Sequence, residues 1–120
     1  MPYYQKVILR LSGGVLGSVD EEFDLEHVET VVDELVKVAG RAKLVVVVGG
    51  GNIARGRDLS NRFGLDPRLA DHVGILATIT NAYFINALVQ AKSVPSTAVS
   101  ALEVEGLVPS YSLLIIQNFL

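Results

Sequence analysis

Two short stretches carry the residue types that can hold an anion. "LRLSGG" spans positions 9 to 14 and "VVVVGGGN" spans 45 to 52. In each, an apolar strand-like run ends in consecutive glycines. Such glycines bring backbone N–H groups up to a ligand with no Cβ in the way, and they tolerate positive φ. Side-chain donors stand beside them: Arg10 and Ser12 at the first turn, Asn52 and Arg55 at the second. In an open parallel sheet, ligands bind beyond the carboxyl ends of the strands. A helix starting after the turn would add the positive end of its dipole. The same residues also read as ordinary tight turns. Neither stretch has the GxxxxGK[ST] or GxGxxG spacing. Taken alone, the residues indicate an anion-binding α/β domain and leave phosphate cradle and plain turn both open.

The elements that would position these turns are legible from pattern. Residues 6–11, "KVILRL", read as a short buried strand. Asp24 suits a helix N-cap, and Leu25, Val28, Val31, Val32, Leu35 and Val38 mark one apolar face of a helix over 25–39. Gly40 stands where a helix-ending glycine belongs. "KLVVVV", 43–48, is continuously apolar, as in a parallel strand covered on both faces. Strand, helix and strand together predict a right-handed βαβ unit. Asp66 and Pro67 open a long helix over 67–91, rich in small residues that allow close packing. "STAVSAL", 96–102, reads as a third strand, and the segment 110–120 is open between helix and strand.

The chain has 120 residues, enough for a single domain over 1–120. Its formal charge of −3 argues against nucleic-acid and anionic-membrane partners. No cysteine is present, so thiolate metal sites and disulfides are excluded, and a cytoplasmic setting is expected. The N-terminus lacks the apolar core of a signal peptide, and no segment is expected to reach the ~20 apolar residues of a bilayer span. The mean hydropathy of +0.43 is high for so small a chain, which predicts apolar surface covered by a partner chain.

The combination of "VILRLSGG", "VVVVGGGNIARG" and "ADHVGILATITNAYFINAL" resembles the N-terminal, phosphoacceptor-side half of a uridylate (UMP) kinase of the amino acid kinase superfamily, from about Lys6 to Ser112. "SALEVEGLVPSYS" matches the segment after the third strand. The resemblance implies a three-layer α/β fold, a parallel-rich sheet between helices. It implies the reaction ATP + UMP → ADP + UDP in pyrimidine nucleotide biosynthesis, assisted by Mg²⁺ with ATP. By position, Arg10, Leu11, Ser12, Gly13, Gly51 and Arg55 fall on ATP contacts, with Arg10 at the catalytic lysine position. Gly50 and Asp71 fall on UMP contacts, Asp71 being the acid that holds the ribose. The family's long helix contributes to a dimer, which implies a homo-oligomer built from dimers, a hexamer among the forms.

The chain departs from the pattern in three ways. Arginine stands at position 10 where the family has lysine, exchanging a compact ammonium for a planar fork. "SGG" replaces "SGE", losing an acid at Gly14. The half that closes over UMP and holds adenine is expected elsewhere, because the match covers the N-terminal half of a family member. A short chain that is incomplete or inactive alone follows. The alternative is a non-catalytic nucleotide-binding or oligomerisation module with the same fold. A superfamily kinase acting on a carboxylate or carbamate is a weaker third reading, which the helix from Asp71 to Leu88 disfavours. His27 and His72 have no companions at metal-ligand spacing, and Tyr83 and Phe84 read as core or oligomer contacts.

Overall fold

A computed structural model describes residues 6–110 of the chain. Strands β1 (Lys6–Leu11) and β2 (Lys43–Val48) pair in parallel, with Leu9 opposite Val46 and Leu11 opposite Val48. Helix α1 (Leu25–Ala39) connects them. It starts where the sequence provides a cap, since the Asp24 side chain accepts from the His27 N–H at 3.1 Å. Val28, Val32 and Leu35 are its buried face. They form the core with Leu16 and with Ile85 and Val89 of the long helix α3 (Pro67–Ala91), over Leu9, Leu11, Leu44, Val46 and Val48 of the sheet. Full burial of side chains of this size stabilises by about 1.5–3 kcal/mol each. Phe84 belongs to this core and meets Phe23 edge-on at 4.8 Å between ring centroids.

The four expected elements at 6–11, 25–39, 43–48 and 67–91 are present with those bounds, and the architecture is α/β. Three features differ from the sequence reading. First, a helix α2 (Gly56–Phe63) lies between β2 and α3. It buries no residue and has only two apolar side chains, Leu59 and Phe63, to announce it. Second, residues 96–102 form no strand. Ser100 N–H donates to Pro109 O at 3.1 Å and Val104 pairs with Val108 around Gly106. The segment folds back on itself, and a cleft of about 430 Å³ lies along β2, lined by Leu44, Val46, Ile85, Val89, Pro95 and Ala98. Third, the sheet is covered on one face. Ile8 is 76 % exposed and Val47 52 %, so the apolar run of β2 does not have both faces covered among the described residues.

By length and composition α3 is apolar enough to cross a membrane, contrary to expectation, with 28 % of its most apolar stretch buried. Two polar side chains in its second half, Asn81 and Asn86, instead bond to neighbouring loops of the α/β fold. The possibility of a helix or strand over 110–120 falls, beyond Ser110, outside the described residues.

Candidate functional site

The parallel pairing brings the carboxyl ends of β1 and β2 side by side, so both glycine turns leave the sheet at the same edge. Gly49 N–H continues the ladder by donating to Leu11 O at 2.9 Å. Beyond that bond the turns interlock. A Cβ on Gly13 would stand 2.5 Å from Gly51 N, 2.8 Å from Asn52 Oδ1 and 2.9 Å from Gly49 O. A Cβ on Gly50 would stand 2.7 Å from Ala77 Cβ and 2.9 Å from Thr78 N. Real Cβ atoms do not approach so closely, so these positions require glycine for space. Positive φ is not the reason: among the described glycines only Gly64 and Gly106 adopt it.

The first turn continues into a single 3₁₀ turn, Gly13–Leu16, with the Ser12 side chain accepting from Gly14 N–H at 3.3 Å. The second turn closes with Ile53 and Ala54 N–H donating to Gly50 O, both at 3.0 Å. Among the described residues the N–H groups of Gly50 and Gly51 donate to no acceptor. Such donors are satisfied by a ligand or by water. The guanidinium of Arg55 folds over Gly51, its Nε 3.1 Å from where a Cβ would be. Ser12, Gly13, Gly50, Gly51 and Arg55 thus converge on one edge, with two free N–H donors and one cation. That is a donor set for anionic oxygen.

Three residues lie differently. Leu11 turns its side chain to the core and offers only its backbone. Arg10 alternates onto the opposite, open face of the sheet, with Ile8, and its register partner is Val47. Asp71 lies a turn inside α3, past the first-turn position that would serve only the helix dipole. It faces the start of α2, where its Oδ1 lies 2.8 Å from a Cβ built on Gly56. Gly56 therefore allows α2 to cross α3 against Ala70 and Asp71.

The sequence reading passed over Asn81 and Gly56. Asn81 is the buried polar side chain of the described residues, fully enclosed. Its Nδ2 donates to Gly49 O and to Asn52 Oδ1, both at 2.7 Å, while Asn52 Nδ2 donates to Glu22 O at 2.8 Å. A signal was available: Asn81 interrupts the every-fourth-residue stripe of Ala77, Ile85 and Val89. A polar residue on a buried stripe must have partners. His27 is exposed and its Nδ1 lies 2.8 Å from Gly17 O. Among the described residues no three His, Cys, Asp or Glu side chains group as metal ligands.

Comparison with known proteins identifies the fold and the family. The model of the amino acid kinase family matches residues 5–115. The uridylate kinase of Fervidobacterium nodosum is 42 % identical over 84 residues, 68 % of this chain and 35 % of that protein. The uridylate kinase of Rubrobacter xylanophilus is 33 % identical over 109 residues, 89 % of this chain and 43 % of that protein. The crystal structure of UMP kinase from Ureaplasma parvum superposes with a TM-score of 0.88 at 27 % identity, over 98 % of this chain and 51 % of that one. UMP kinase from Bacillus anthracis gives 0.87 at 27 %, over 99 % and 50 %. The chain thus spans about half of the solved kinases and less of these two uridylate kinases. Its fold is α/β and amino acid kinase-like, and the chain belongs to the amino acid kinase family.

Proposed function

We propose that this chain is the phosphoacceptor-side half of a UMP kinase, binding UMP and ATP across its two glycine turns. The observation that carries the reading is the interlock of Gly13 with Gly49–Asn52. It fixes two anion-facing turns within one contact distance of each other, as a donor phosphate and an acceptor phosphate require. In the proposed assignment Gly50 and Asp71 hold UMP. Arg10, Leu11, Ser12, Gly13, Gly51 and Arg55 hold ATP, Leu11 through its backbone. A UMP phosphate oxygen attacks the γ-phosphorus, the bond to the β-phosphate oxygen breaks, and ADP leaves.

Such transfers rely on positioning and charge neutralisation. Free N–H groups and Arg55 supply both at the turns, and a carboxylate at Asp71 accepts hydrogen bonds from ribose hydroxyls. N–H and guanidinium groups suit phosphate and do not suit a cation. Mg²⁺ accordingly enters as part of the MgATP substrate, held by its phosphates. Arg10, on the open sheet face, keeps the charge of the family lysine in a bulkier form. Turnover requires the complementary half of the fold, since the chain spans about half of the kinases that it matches.

Isothermal titration checks the reading. UMP and MgATP each bind the folded chain, and Asp71→Asn weakens UMP by about tenfold or more with ATP unchanged. No heat with either nucleotide refutes it.

A second reading, a nucleotide-binding or oligomerisation module without catalysis, is favoured by the exposed stripe on α3. Leu69, Val73, Leu76 and Tyr83 are 53, 40, 54 and 42 % exposed, at steps of four, three and seven residues that keep one helix face. We place a homodimer contact there in either case. With a complementary C-terminal half joined to the chain, UMP-dependent release of ADP that Asp71→Asn abolishes decides for the kinase. A cytoplasmic location accords with both readings.

A further inference from the structure

Asn81 is fully buried, and the acceptor it holds by a short bond is the carbonyl of Gly49. In a trans peptide the C=O of one residue and the N–H of the next point to opposite sides. With Gly49 O drawn inward to α3, the N–H of Gly50 is turned away from α3. Gly50 cannot relax this arrangement by moving, because its α-carbon is pressed against Ala77 and Thr78. Nor can the Asn81 amide rotate freely, since its second hydrogen is held by Asn52 Oδ1 at 2.7 Å. Asn52 is itself tied to Glu22 O. The unspent N–H of Gly50 is therefore fixed in direction by a side chain on α3 that the proposed ligands do not touch.

We propose that Asn81 is a positioning residue: it clamps the Gly49–Gly50 peptide so that the Gly50 N–H is presented to the phosphate of a nucleoside monophosphate. This rests on the proposed function and adds a residue to it. A buried amide that served packing alone would not need to bond the one carbonyl that orients this donor. Apolar residues occupy the neighbouring positions of the same stripe, Ala77 and Ile85. The alternative orientation, with Gly49 O outward, would set a carbonyl oxygen against the phosphate and repel it.

The test uses ¹⁵N- and ¹³C-labelled chain. In the free protein, a coupling across the hydrogen bond links Asn81 Nδ2 to the Gly49 carbonyl. Its absence overturns the clamp without reference to any ligand. On titration, UMP shifts the Gly50 amide resonance and uridine, which lacks the phosphate, does not. UMP bound with the Gly50 amide unmoved overturns this inference alone. UMP that moves no resonance overturns the proposed function, and the assignment of Gly50 with it.

Asn81→Asp keeps the shape and replaces both donor hydrogens by a charged acceptor facing Gly49 O. It weakens UMP by about tenfold or more, given the cost of an unmade buried bond, while MgATP stays within about threefold. Asn86→Ala removes the other loop bond made from this half of α3, the one from Ser96 Oγ, leaves the Asn81–Gly49 bond in place and retains UMP binding within about threefold. Equal losses for both nucleotides, or equal losses in both variants, mean a merely structural Asn81. The wild-type coupling and the UMP–uridine contrast decide the matter if Asn81→Asp does not fold.

Discussion

Gly13 and Gly14 are adjacent, chemically identical and both at ordinary φ, yet alanine should act oppositely at the two. At Gly13 the new methyl would meet Gly51 N at 2.5 Å and Gly49 O at 2.9 Å. Both are backbone atoms of a turn that Leu11 and Asn81 already hold. The first contact is about 1 Å inside the optimum carbon separation. Relief requires the turns to separate, and overpacking of this kind costs about 1–3 kcal/mol. At Gly14 the nearest atom is Ser12 Oγ at 3.6 Å, an ordinary contact. There the smaller entropy of the unfolded chain makes alanine stabilising by about 0.4–1 kcal/mol. The two variants should differ by about 2–3 kcal/mol. At about 4 °C per kcal/mol for a domain of this size, Gly14→Ala melts about 8–12 °C above Gly13→Ala. Thermal melting by circular dichroism, without any ligand, measures the difference. Midpoints within about 2 °C of each other would show that the turns do not interlock as described.

Other outcomes follow from the same geometry. Gly56→Ala places a methyl 2.8 Å from Asp71 Oδ1 and 3.3 Å from Ala70 O, so titration should show weaker UMP binding with MgATP little changed. Asp24→Ala removes the cap of α1 and lowers the melting midpoint. The His27 backbone N–H donating to Asp24 holds its carboxyl below the usual carboxylate range. A carboxyl depressed in the folded state stabilises above its unfolded pKa and loses that contribution as pH falls through its folded value. The wild-type advantage over Asp24→Ala should therefore be complete near neutrality and vanish in acid melts. Leu76→Lys, in the exposed α3 stripe, should shift the chain toward monomer in sedimentation analysis with its melting midpoint little changed at low concentration.

The sequence made the scaffold legible where local signals and tertiary packing agree. Asp24 and Asp66 are caps in fact, and the apolar stripe of α1 faces the core with Val28, Val32 and Leu35 buried and Val31 and Val38 half-buried, while Leu25 is 70 % exposed. It was silent on α2, whose "GRDLSNRF" has few apolar residues and a glycine at its first position. That helix depends on its neighbours: Gly64 ends it in a left-handed conformation and Ser60 Oγ donates to Leu65 O at 2.9 Å. The residues 96–102 misled for the converse reason. Their composition suits a strand, but pairing is a tertiary event, and Ser100 and Val104 find their partners at Pro109 and Val108. At the site, the glycine turns could be located from sequence, while the reason for glycine could not. Close approach depends on atoms 36 to 39 residues away in the chain at Gly13 and 27 or 28 away at Gly50, and the clamp from Asn81 spans 32.

The contact between the turns also bears on how two ligands would sense each other. The Gly50 N–H, assigned to UMP, belongs to the Gly49–Gly50 peptide, and the Gly51 N–H, assigned to ATP, belongs to the next one, so the two donors are hinged at the Gly50 α-carbon. A shift of that hinge by one ligand must alter the donor offered to the other. Linkage then makes the effect mutual: whatever factor ATP applies to the affinity for UMP, UMP applies to the affinity for ATP. With Gly50 seated on Ala77 and Gly51 beneath Arg55, the partition between the two pockets is one peptide thick. It acts as a shared lever, and the two nucleotides should bind as a thermodynamically coupled pair.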